Sequence, residues 1–248
     1  MASTILDLLH QLRAGNSASP RLTWYGPDGE RVELSGRVLD NWVAKTSNFL
    51  TEELDAERGT RVRIDLPGHW KSAVLALAAW QAGAVVVDDG DADLVFTAAP
   101  DAGAGAGTQA QTPAGTGTQV AVALPALAMS FPGPLPAGTL DYAALVRQFA
   151  DSYEPFDPPL GSDEALRTAG SSYTQSALMS GFASGAPARA RVLVGADGSL
   201  PQVLAGLLGA WAADGSAVLV HPAVEVTDHL LATEQVTGAD AGAHPDAG

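Results

Sequence analysis

Residues 61–97 alternate between strand-like and helix-like patterns, and this alternation constrains the fold more than any other feature of the chain. Arg61–Leu66 alternates charged and apolar residues, His69–Ala82 has the length and composition of a buried helix, and Ala84–Val87 and Leu94–Thr97 are short apolar runs. Such runs on either side of a helix are typical of buried parallel strands, which right-handed crossovers connect. The stretch therefore predicts an α/β fold with a mostly parallel sheet.

A hairpin and a long amphipathic helix precede this unit. Leu22–Tyr25 and Arg31–Leu34 flank a Gly-Pro-Asp-Gly turn, and Ser35 is a candidate N-cap because its hydroxyl can accept a backbone N–H. Apolar residues then recur at three-to-four spacing up to Leu54, which places one apolar stripe on a helix of about five turns. We therefore predict a layered, mostly parallel sheet with helices on both faces and an N-terminal hairpin.

The second half resumes the same alternation after a change in composition. Residues 98–119 contain no aliphatic side chain larger than alanine, so they cannot bury enough surface to offset the entropy of ordering, and we predict a disordered loop. Residues 1–97 then form a first α/β unit, which begins with an N-terminal helix. Residues 120–236 form a second unit of the same domain, and residues 237–248 form a frayed tail.

Within the second unit the patterns are less regular. Leu140–Ala150 predicts a short helix and Ser171–Ala183 a weaker one. Arg191–Val194 predicts a strand, Leu200–Ala213 a helix that is capped by Ser199, and Ala217–Val220 a further strand.

The charge of the chain disfavours two classes of partner. It has 13 lysine and arginine residues against 28 aspartate and glutamate residues, and its formal net charge is −15. Nucleic acids and anionic membrane surfaces are bound mainly through clustered lysine and arginine. We therefore expect no nucleic-acid partner and no membrane partner, and an acidic surface that favours solubility.

Cysteine content and hydropathy limit the chemistry and the location. The absence of cysteine excludes disulfides, zinc–thiolate sites and cysteine nucleophiles. The N-terminus lacks the basic and apolar segments of a secretory signal. The longest nearly apolar run, Ala73–Val87, is shorter than the roughly 20 residues that a membrane-spanning helix needs. We predict a cytoplasmic protein.

Four segments of the first unit resemble the opening of an AMP-forming adenylating enzyme, the superfamily of acyl-CoA synthetases and luciferases. They are Leu22–Tyr25, Ser35–Leu54, Arg61–Pro67 and His69–Gly83, the last of which ends in Gln-Ala-Gly. Residues 190–221 resemble, more weakly, the segment that follows the phosphate loop of that superfamily. The resemblance implies that this chain folds like the front part of an adenylating enzyme's large domain.

A narrower resemblance rests on the length, on this early motif and on a late Glu-x-Val-Thr that comprises Glu234, Val236 and Thr237. These features are similar to a family of short actinobacterial proteins that have marginal similarity to AMP-binding enzymes. That resemblance implies a relationship and no mechanism.

The phosphate loop of the superfamily has only a degraded counterpart. The loop reads roughly T-S-G-T-T-G-x-P-K-G, and its nearest match is Thr168–Ser172, which lacks the second glycine, the proline and the lysine. An alternative alignment places the loop at Leu160–Ala165, where Asp163 and Glu164 would face phosphate with the wrong charge. We interpret residues 168–172 as a helix-entry turn, with residual phosphate binding as the alternative. The adenine-contacting, ribose-binding and C-terminal lysine motifs of the superfamily have no counterpart in the chain.

Two further groups of polar residues are candidates for chemistry. Asp88, Asp89, Asp91 and Asp93 cluster at a strand end, but a leucine replaces the turn glycine of a calcium loop, so we interpret them as a solvated turn. His221 directly follows a strand and is interpreted as a polar strand-end residue rather than a ligand.

Three hypotheses for the function follow, and none assigns a catalytic, cofactor-binding or metal-binding residue. The first is a catalytically degenerate relative of the acyl-CoA synthetases that acts as a binding or interaction protein, with at most residual affinity for ATP, AMP or an acyl group. The second is an active adenylate-forming or transferase enzyme whose pocket is lined by Ser171, Ser172 and His221. The third is a protein-interaction module, which would form homo-oligomers or bind another protein through an exposed apolar face.

Overall fold

The computed structural model describes residues 3–100, 117–182 and 186–239, and these residues form strands and helices in alternation. The strands are β1 (Pro20–Tyr25), β2 (Arg31–Ser35), β3 (Arg61–Asp65), β4 (Val85–Val87), β5 (Leu94–Thr97), β6 (Thr118–Ala121), β7 (Leu140–Asp141), β8 (Glu164–Thr168), β9 (Ser171–Thr174), β10 (Arg191–Gly195), β11 (Ser216–Val220) and β12 (Gly238–Ala239). The helices are α1 (Ile5–Ala14), α2 (Gly36–Asn48), α3 (Trp70–Gln81), α4 (Tyr142–Leu145), α5 (Gln175–Phe182), α6 (Leu200–Ala212) and α7 (Asp228–Thr233).

The strands divide into two sheets. One has five strands in the order β12-β10-β11-β1-β2, and the other has seven in the order β7-β6-β5-β3-β4-β8-β9. Neighbouring strands are parallel except in the hairpins β1–β2 and β8–β9. The predicted α/β class, the mostly parallel pairing and the N-terminal hairpin are therefore confirmed. The division into two sheets was not predicted, because periodicity identifies strands but not their partners.

Helices pack between the two sheets. α2 contacts β1 and β2 of the five-stranded sheet, α3 contacts β3 and β4 of the seven-stranded sheet, and the two helices contact each other. All twelve residues of α3 are buried, as its apolar sequence predicts. Its Trp80 donates an indole hydrogen bond of 2.6 Å to the carbonyl of Ala165 in β8. No helix among the described residues is long and apolar enough to cross a membrane.

The helix ends follow from local sequence. The Ser35 hydroxyl accepts a hydrogen bond from the backbone N–H of Val38 at the start of α2, as predicted. Ser199 and Gln202 form a capping box at the start of α6, in which Gln202 Oε1 accepts from the Ser199 N–H at 2.8 Å. Gly83 has φ +81° just after α3, where glycine tolerates the left-handed conformation.

Three predictions for the second half need correction or lie outside the description. Ser171–Thr174 forms β9 instead of the start of a helix, because these residues pair with β8 and only the following residues form α5. Gly238–Ala239, assigned to the tail from the sequence, forms β12 beside β10. Residues 101–116 and 240–248, which hold most of the predicted loop and of the tail, lie outside the described residues.

The two sheets approach each other closely where β3 and β10 end. A Cβ atom added to Gly68 would lie 2.5 Å from the carbonyl oxygen of Ala196, which directly follows β10. This distance leaves no room for a methyl group, so glycine is required at this junction.

Replacing Gly68 with alanine should therefore lower the free energy of unfolding by about 1–3 kcal/mol, since the backbone must shift to remove the overlap. Gly170→Ala is the matched control, because a Cβ atom there meets nothing within 4 Å. Urea denaturation of both variants measures the difference. Equal stability of the two variants would contradict the close approach.

Candidate functional site

A groove lies beyond the ends of β3 and β6, beside the edge strand β2. Besides residues of β2, it is lined by Trp42 of α2, Trp70 of α3, Glu30, and Ala126 and Leu127 of the segment after β6, and its volume is about 520 Å³. We call it the Trp groove. Ligands of open α/β sheets bind beyond the carboxyl ends of the strands, in pockets of about 300–1,000 Å³. Its position and size make it a candidate ligand site.

The buried Lys71 holds one wall of the Trp groove in place. Its Nζ donates hydrogen bonds to the carbonyls of Ala123 at 2.5 Å and Pro125 at 3.0 Å, and lies 5.2 Å from the centre of the Trp70 ring. Burial lowers the pKa of Lys71 to about 8, although the negative charge of Glu30 acts in the opposite direction. The amine therefore fixes the segment after β6, and its hydrogen atoms are directed at main-chain oxygens.

Glu30 links the same segment to β1. One carboxylate oxygen accepts from the Trp24 indole at 2.9 Å, and the other accepts from the backbone N–H of Ala126 at 2.7 Å. Both oxygens of this carboxylate thus have partners within the protein. The Trp70 indole N–H, by contrast, is buried and has no hydrogen-bond acceptor among the described residues. The groove is apolar around Trp42 and Trp70, and the other charged side chains of its lining, Arg31 and Glu33 of β2, pair with each other at 2.8 Å.

Two histidines lie beside Trp24, where β1, β3 and β11 end. The His69 ring is 4.7 Å from the Trp24 ring, and the His221 ring is 6.0 Å from it on an edge-to-face contact. His69 Nδ1 accepts the backbone N–H of Lys71, and His221 Nδ1 accepts that of Ala223, each at 3.1 Å. Burial, followed by the charges of Lys71 and His221, lowers the pKa of His69 to about 3.

These hydrogen bonds limit what the two histidines can do. A neutral imidazole whose Nδ1 accepts a hydrogen bond carries its proton on Nε2, so each ring presents a donor. A metal ion at Nε2 would require loss of the backbone hydrogen bond. Among the described residues, no group of three or more histidine, aspartate or glutamate side chains could hold a metal ion. The pair suits a neutral donor role rather than metal binding.

The predicted phosphate-loop match is the turn of the β8–β9 hairpin, not a helix-entry turn. Only Ala169 and Gly170 separate the two strands, and Thr168 pairs with Ser171 across them. The Ser172 hydroxyl donates to Glu164 at 2.6 Å, and the Arg167 Nε donates to the same carboxylate at 2.9 Å. Ser172 and Arg167 thus both form their hydrogen bonds to Glu164 within the hairpin.

The aspartate cluster lies next to this turn. The backbone N–H of Asp88 donates to the carbonyl of Arg167 at 3.2 Å. Burial and the charge of Asp89 raise the pKa of Asp88, while a hydrogen bond from the Ala169 N–H acts in the opposite direction. Asp93 instead pairs with Arg61 of β3 at 2.8 Å. Two aspartates of the cluster thus have different partners: Asp93 pairs with Arg61, whereas Asp88 lies against the β8–β9 turn.

The pocket predicted for an active enzyme does not form from its three residues. Ser171 and Ser172 lie in β9, an edge strand of the seven-stranded sheet, whereas His221 follows β11 inside the five-stranded sheet. The His221 ring contacts Trp24 and accepts the Ala223 N–H, and among the described residues it has no hydrogen bond to either serine. The two serines and His221 are close to strand ends in the sequence, but the structure does not bring them together because β9 and β11 belong to different sheets.

Comparison with known proteins identifies a relative over nearly the whole chain. A TIGR03089 family protein of Mycobacterium tuberculosis is 36% identical to it over 241 residues, which cover 96% of each chain. This chain belongs to the TIGR03089 family. No family profile matches the sequence.

Solved structures that share the fold are acyl-CoA synthetases. A Mycobacterium tuberculosis fatty acyl CoA synthetase matches 95% of the TIGR03089 chain with a TM-score of 0.65 and 16% identity. The N-terminal domain of FACL13 from the same organism matches 96% with a TM-score of 0.67 and 15% identity. Acetoacetyl-CoA synthetase from Streptomyces lividans matches 94% with a TM-score of 0.67 and 15% identity.

The TIGR03089 chain spans only part of these structures, namely 49%, 62% and 41% of their respective lengths. At such identities the likeness shows the fold alone. The resemblance of residues 21–97 to the N-terminal part of adenylating enzymes is confirmed at that level.

Sequence reasoning missed three residues of this TIGR03089 site, namely Glu30, His69 and Lys71. Lys71 gave the clearest signal, because it is one of two lysines in the chain and stands in an otherwise apolar helix. Its acceptors lie 52 and 54 residues further along the chain, so its role could not be read from local spacing.

Proposed function

We propose that this TIGR03089 protein is a catalytically inactive relative of the acyl-CoA synthetases that binds an apolar acyl group without activating it. The observation that carries the proposal is the β8–β9 turn, which contains the nearest sequence match to the phosphate loop of the superfamily. This turn contains two residues, Ala169 and Gly170, between paired strands.

Such a turn is poorly suited to triphosphate. Phosphate loops surround the anion with several consecutive backbone N–H groups and add a positive charge. Here the Ala169 N–H interacts with the carboxylate of Asp88, and the nearest cation, Arg167, is paired with Glu164. An incoming phosphate would therefore meet carboxylates and too few donors. ATP, which is the co-substrate of adenylate formation in the superfamily, does not fit these residues.

The Trp groove supports the binding half of the proposal. The Trp42 and Trp70 rings contact each other edge to face at 5.4 Å between centres. Leu127 and the strand β2, with two apolar and two charged residues, complete the walls. An acyl chain gains roughly 25 cal/mol for each Å² of apolar surface that leaves water. Two carboxylates, Glu30 and Glu33, line the groove, and its one cation, Arg31, is already paired with Glu33 and Glu234. We therefore expect the apolar chain of the ligand to enter the groove and an anionic headgroup to stay outside.

The protein-interaction alternative has less support. The large apolar side chains that are exposed among the described residues are Val38, Leu127, Met129, Phe156, Leu160 and Val226. They belong to four segments of the chain, with Leu127 near Met129 and Phe156 near Leu160, and not to one strand or helix. Leu127 is the member of this set that lines the Trp groove.

Replacing Leu127 with serine should weaken binding of octanoate about tenfold, because it removes an apolar wall of the groove. The side chain is 90% exposed, so the stability of the protein should not change. Leu160→Ser is the matched control, since Leu160 is also exposed but does not line the groove. Titration calorimetry measures the affinity. Equal affinities for the two variants, or no octanoate binding by the parent protein, would contradict the proposed acyl site.

A further inference from the structure

A second groove lies on the five-stranded sheet, at the amino ends of β1, β10 and β11. Its volume is about 850 Å³, and four arginines line it: Arg21, Arg31, Arg189 and Arg191. We call it the arginine groove. The Trp groove lies instead beyond the carboxyl ends of β3 and β6. The two grooves share Arg31 and Glu33 of β2 in their linings, whereas Arg21, Arg189 and Arg191 line the arginine groove and not the Trp groove.

The charge of this groove contrasts with that of the chain. The whole sequence has 13 basic against 28 acidic residues, whereas the groove has these four arginines against three carboxylates, Glu33, Asp214 and Glu234. Arginine guanidinium groups match the geometry of carboxylate and phosphate and bind them in bidentate pairs. A local excess of positive charge on an acidic protein marks a place where an anion can bind.

Three of the four arginines are held in fixed positions. Glu234 is 5% exposed, and its carboxylate accepts from Arg191 and, at 3.0 Å, from Arg31. Arg21 is 4% exposed and donates to the carbonyls of Asp214 and Gly215 at 2.8 and 3.0 Å. The Arg21 Nε lacks an acceptor among the described residues. Arginines that are fixed in advance lose little side-chain entropy when a ligand binds.

Arg189 is the open member of the groove. Its side chain is 82% exposed, and its nearest carboxylate oxygen, on Asp214, is 3.4 Å away. This long ion pair leaves most of the guanidinium in contact with solvent. Its backbone has φ +57°, and two more non-glycine residues of the groove, Asp214 and Gln235, have φ +57° and +51°. Left-handed backbone at non-glycine residues is concentrated at ligand-binding sites, although Asp214 and Gln235 also terminate helices.

We propose that the arginine groove binds a small anion with carboxylate or phosphate oxygens, and that Arg189 supplies its main contact. The fixed arginines, Arg21, Arg31 and Arg191, form the wall, and the exposed guanidinium closes on the anion. The ligand class is either a polycarboxylate or a phosphate compound, since the same donors serve both.

Citrate and pyrophosphate are the two probes that distinguish a polycarboxylate ligand from a phosphate ligand. Each is titrated by calorimetry at constant ionic strength, with sodium chloride as the compensating salt, because arginine–anion contacts are screened by salt. A second readout is the indole N–H resonance of Trp211, which donates to the Arg21 carbonyl at 2.8 Å and so reports on this groove. Binding of citrate alone identifies a carboxylate ligand, and binding of pyrophosphate alone identifies a phosphate ligand.

The decisive variant is Arg189→Asn, because asparagine tolerates the left-handed conformation and lacks the charge. We expect it to weaken binding about tenfold, as loss of a charge-assisted pair should. Arg63→Gln, which changes an arginine of the seven-stranded sheet, should leave the affinity unchanged. Absence of binding by the parent protein for both probes up to about 10 mM, or equal weakening in the two variants, would overturn the proposal.

Discussion

Replacing Glu234 with alanine should lower the free energy of unfolding by about 3–5 kcal/mol, because it leaves the largely buried guanidinium of Arg191 without a counter-charge. Glu234 is 4% exposed in its side chain and accepts from the Tyr25 hydroxyl at 2.6 Å, from Arg31 and from Arg191. Three strands, β1, β2 and β10, meet at this one carboxylate. For a chain of this size the midpoint of thermal unfolding should fall by about 10 °C.

The pKa of Glu234 supports the same expectation. Burial alone would raise it, but the hydrogen bonds from Tyr25, Arg191 and Arg31 outweigh burial, and the pKa is lower than the ordinary value of 4.5. A carboxylate whose pKa is lowered on folding stabilises the protein above the unfolded pKa, and that contribution is lost as the pH falls below it. The cost of Glu234→Ala should therefore be largest at neutral pH and should shrink below pH 4.5.

Glu225→Ala is the matched control for this experiment. Glu225 lies on the same C-terminal segment but is exposed to solvent. Its replacement should change the stability by no more than about 0.5 kcal/mol. Similar unfolding midpoints for Glu234→Ala and Glu225→Ala would show that the Glu234 carboxylate does not hold the C-terminal segment to the five-stranded sheet.

Acid should destabilise the protein through His69. The side chain is 3% exposed, and its pKa is about 3 in the folded chain against an ordinary value of 6.5. Between these values the unfolded chain binds one more proton than the folded chain, so stability falls as the pH falls. From pH 6 to pH 4 the contribution of this one residue should be a loss of about 2 kcal/mol.

His69→Asn separates this effect from the titration of carboxylates. Asparagine can still cap α3, because its side-chain oxygen accepts a backbone N–H as His69 Nδ1 does for Lys71. The variant should lose about 2 kcal/mol less than the parent protein between pH 6 and pH 4. His229→Asn, at an exposed position in α7, should behave like the parent. Identical pH profiles for His69→Asn and the parent would show that the histidine is not kept neutral by burial.

The elements that sequence predicted best are those whose signals are local. α3 is apolar from Ala73 to Trp80, and the strands β3, β4 and β5 around it are short apolar or alternating runs, so pattern alone located them. The β1–β2 hairpin has a glycine-rich turn between two strand-like runs. In each case the residues that decide the structure are within one element or its neighbour.

The features that sequence missed depend on distant partners. Tyr25 and Glu234 are 209 residues apart, and no spacing rule connects them. The late Glu-x-Val-Thr was noticed only as a resemblance. In the structure its Glu234 accepts hydrogen bonds from Arg31 and Arg191. The Thr237 N–H donates to the Arg191 carbonyl and the Thr237 hydroxyl accepts from the Arg191 N–H, each at 3.0 Å.

The β8–β9 hairpin was missed for a related reason. β8 is stabilised by β4, whose Val86 and Val87 pair with Leu166 and Arg167. This partner is far away in the sequence, and an Ala-Gly turn lacks the asparagine or aspartate that usually marks a hairpin. The sequence of residues 168–172 therefore suggested a degraded phosphate loop, whereas the structure shows the turn between the paired strands β8 and β9.

Exchange of radiolabelled pyrophosphate into ATP tests the absence of adenylate formation, the central claim, most directly. The purified protein is incubated with magnesium, ATP and a series of carboxylic acids that includes octanoate, and an active acyl-CoA synthetase of the same fold serves as the positive control. We expect no exchange above the rate without protein. Exchange that depends on the acid and elutes together with the protein would show that the β8–β9 turn still supports adenylate formation, and the proposed function would be wrong.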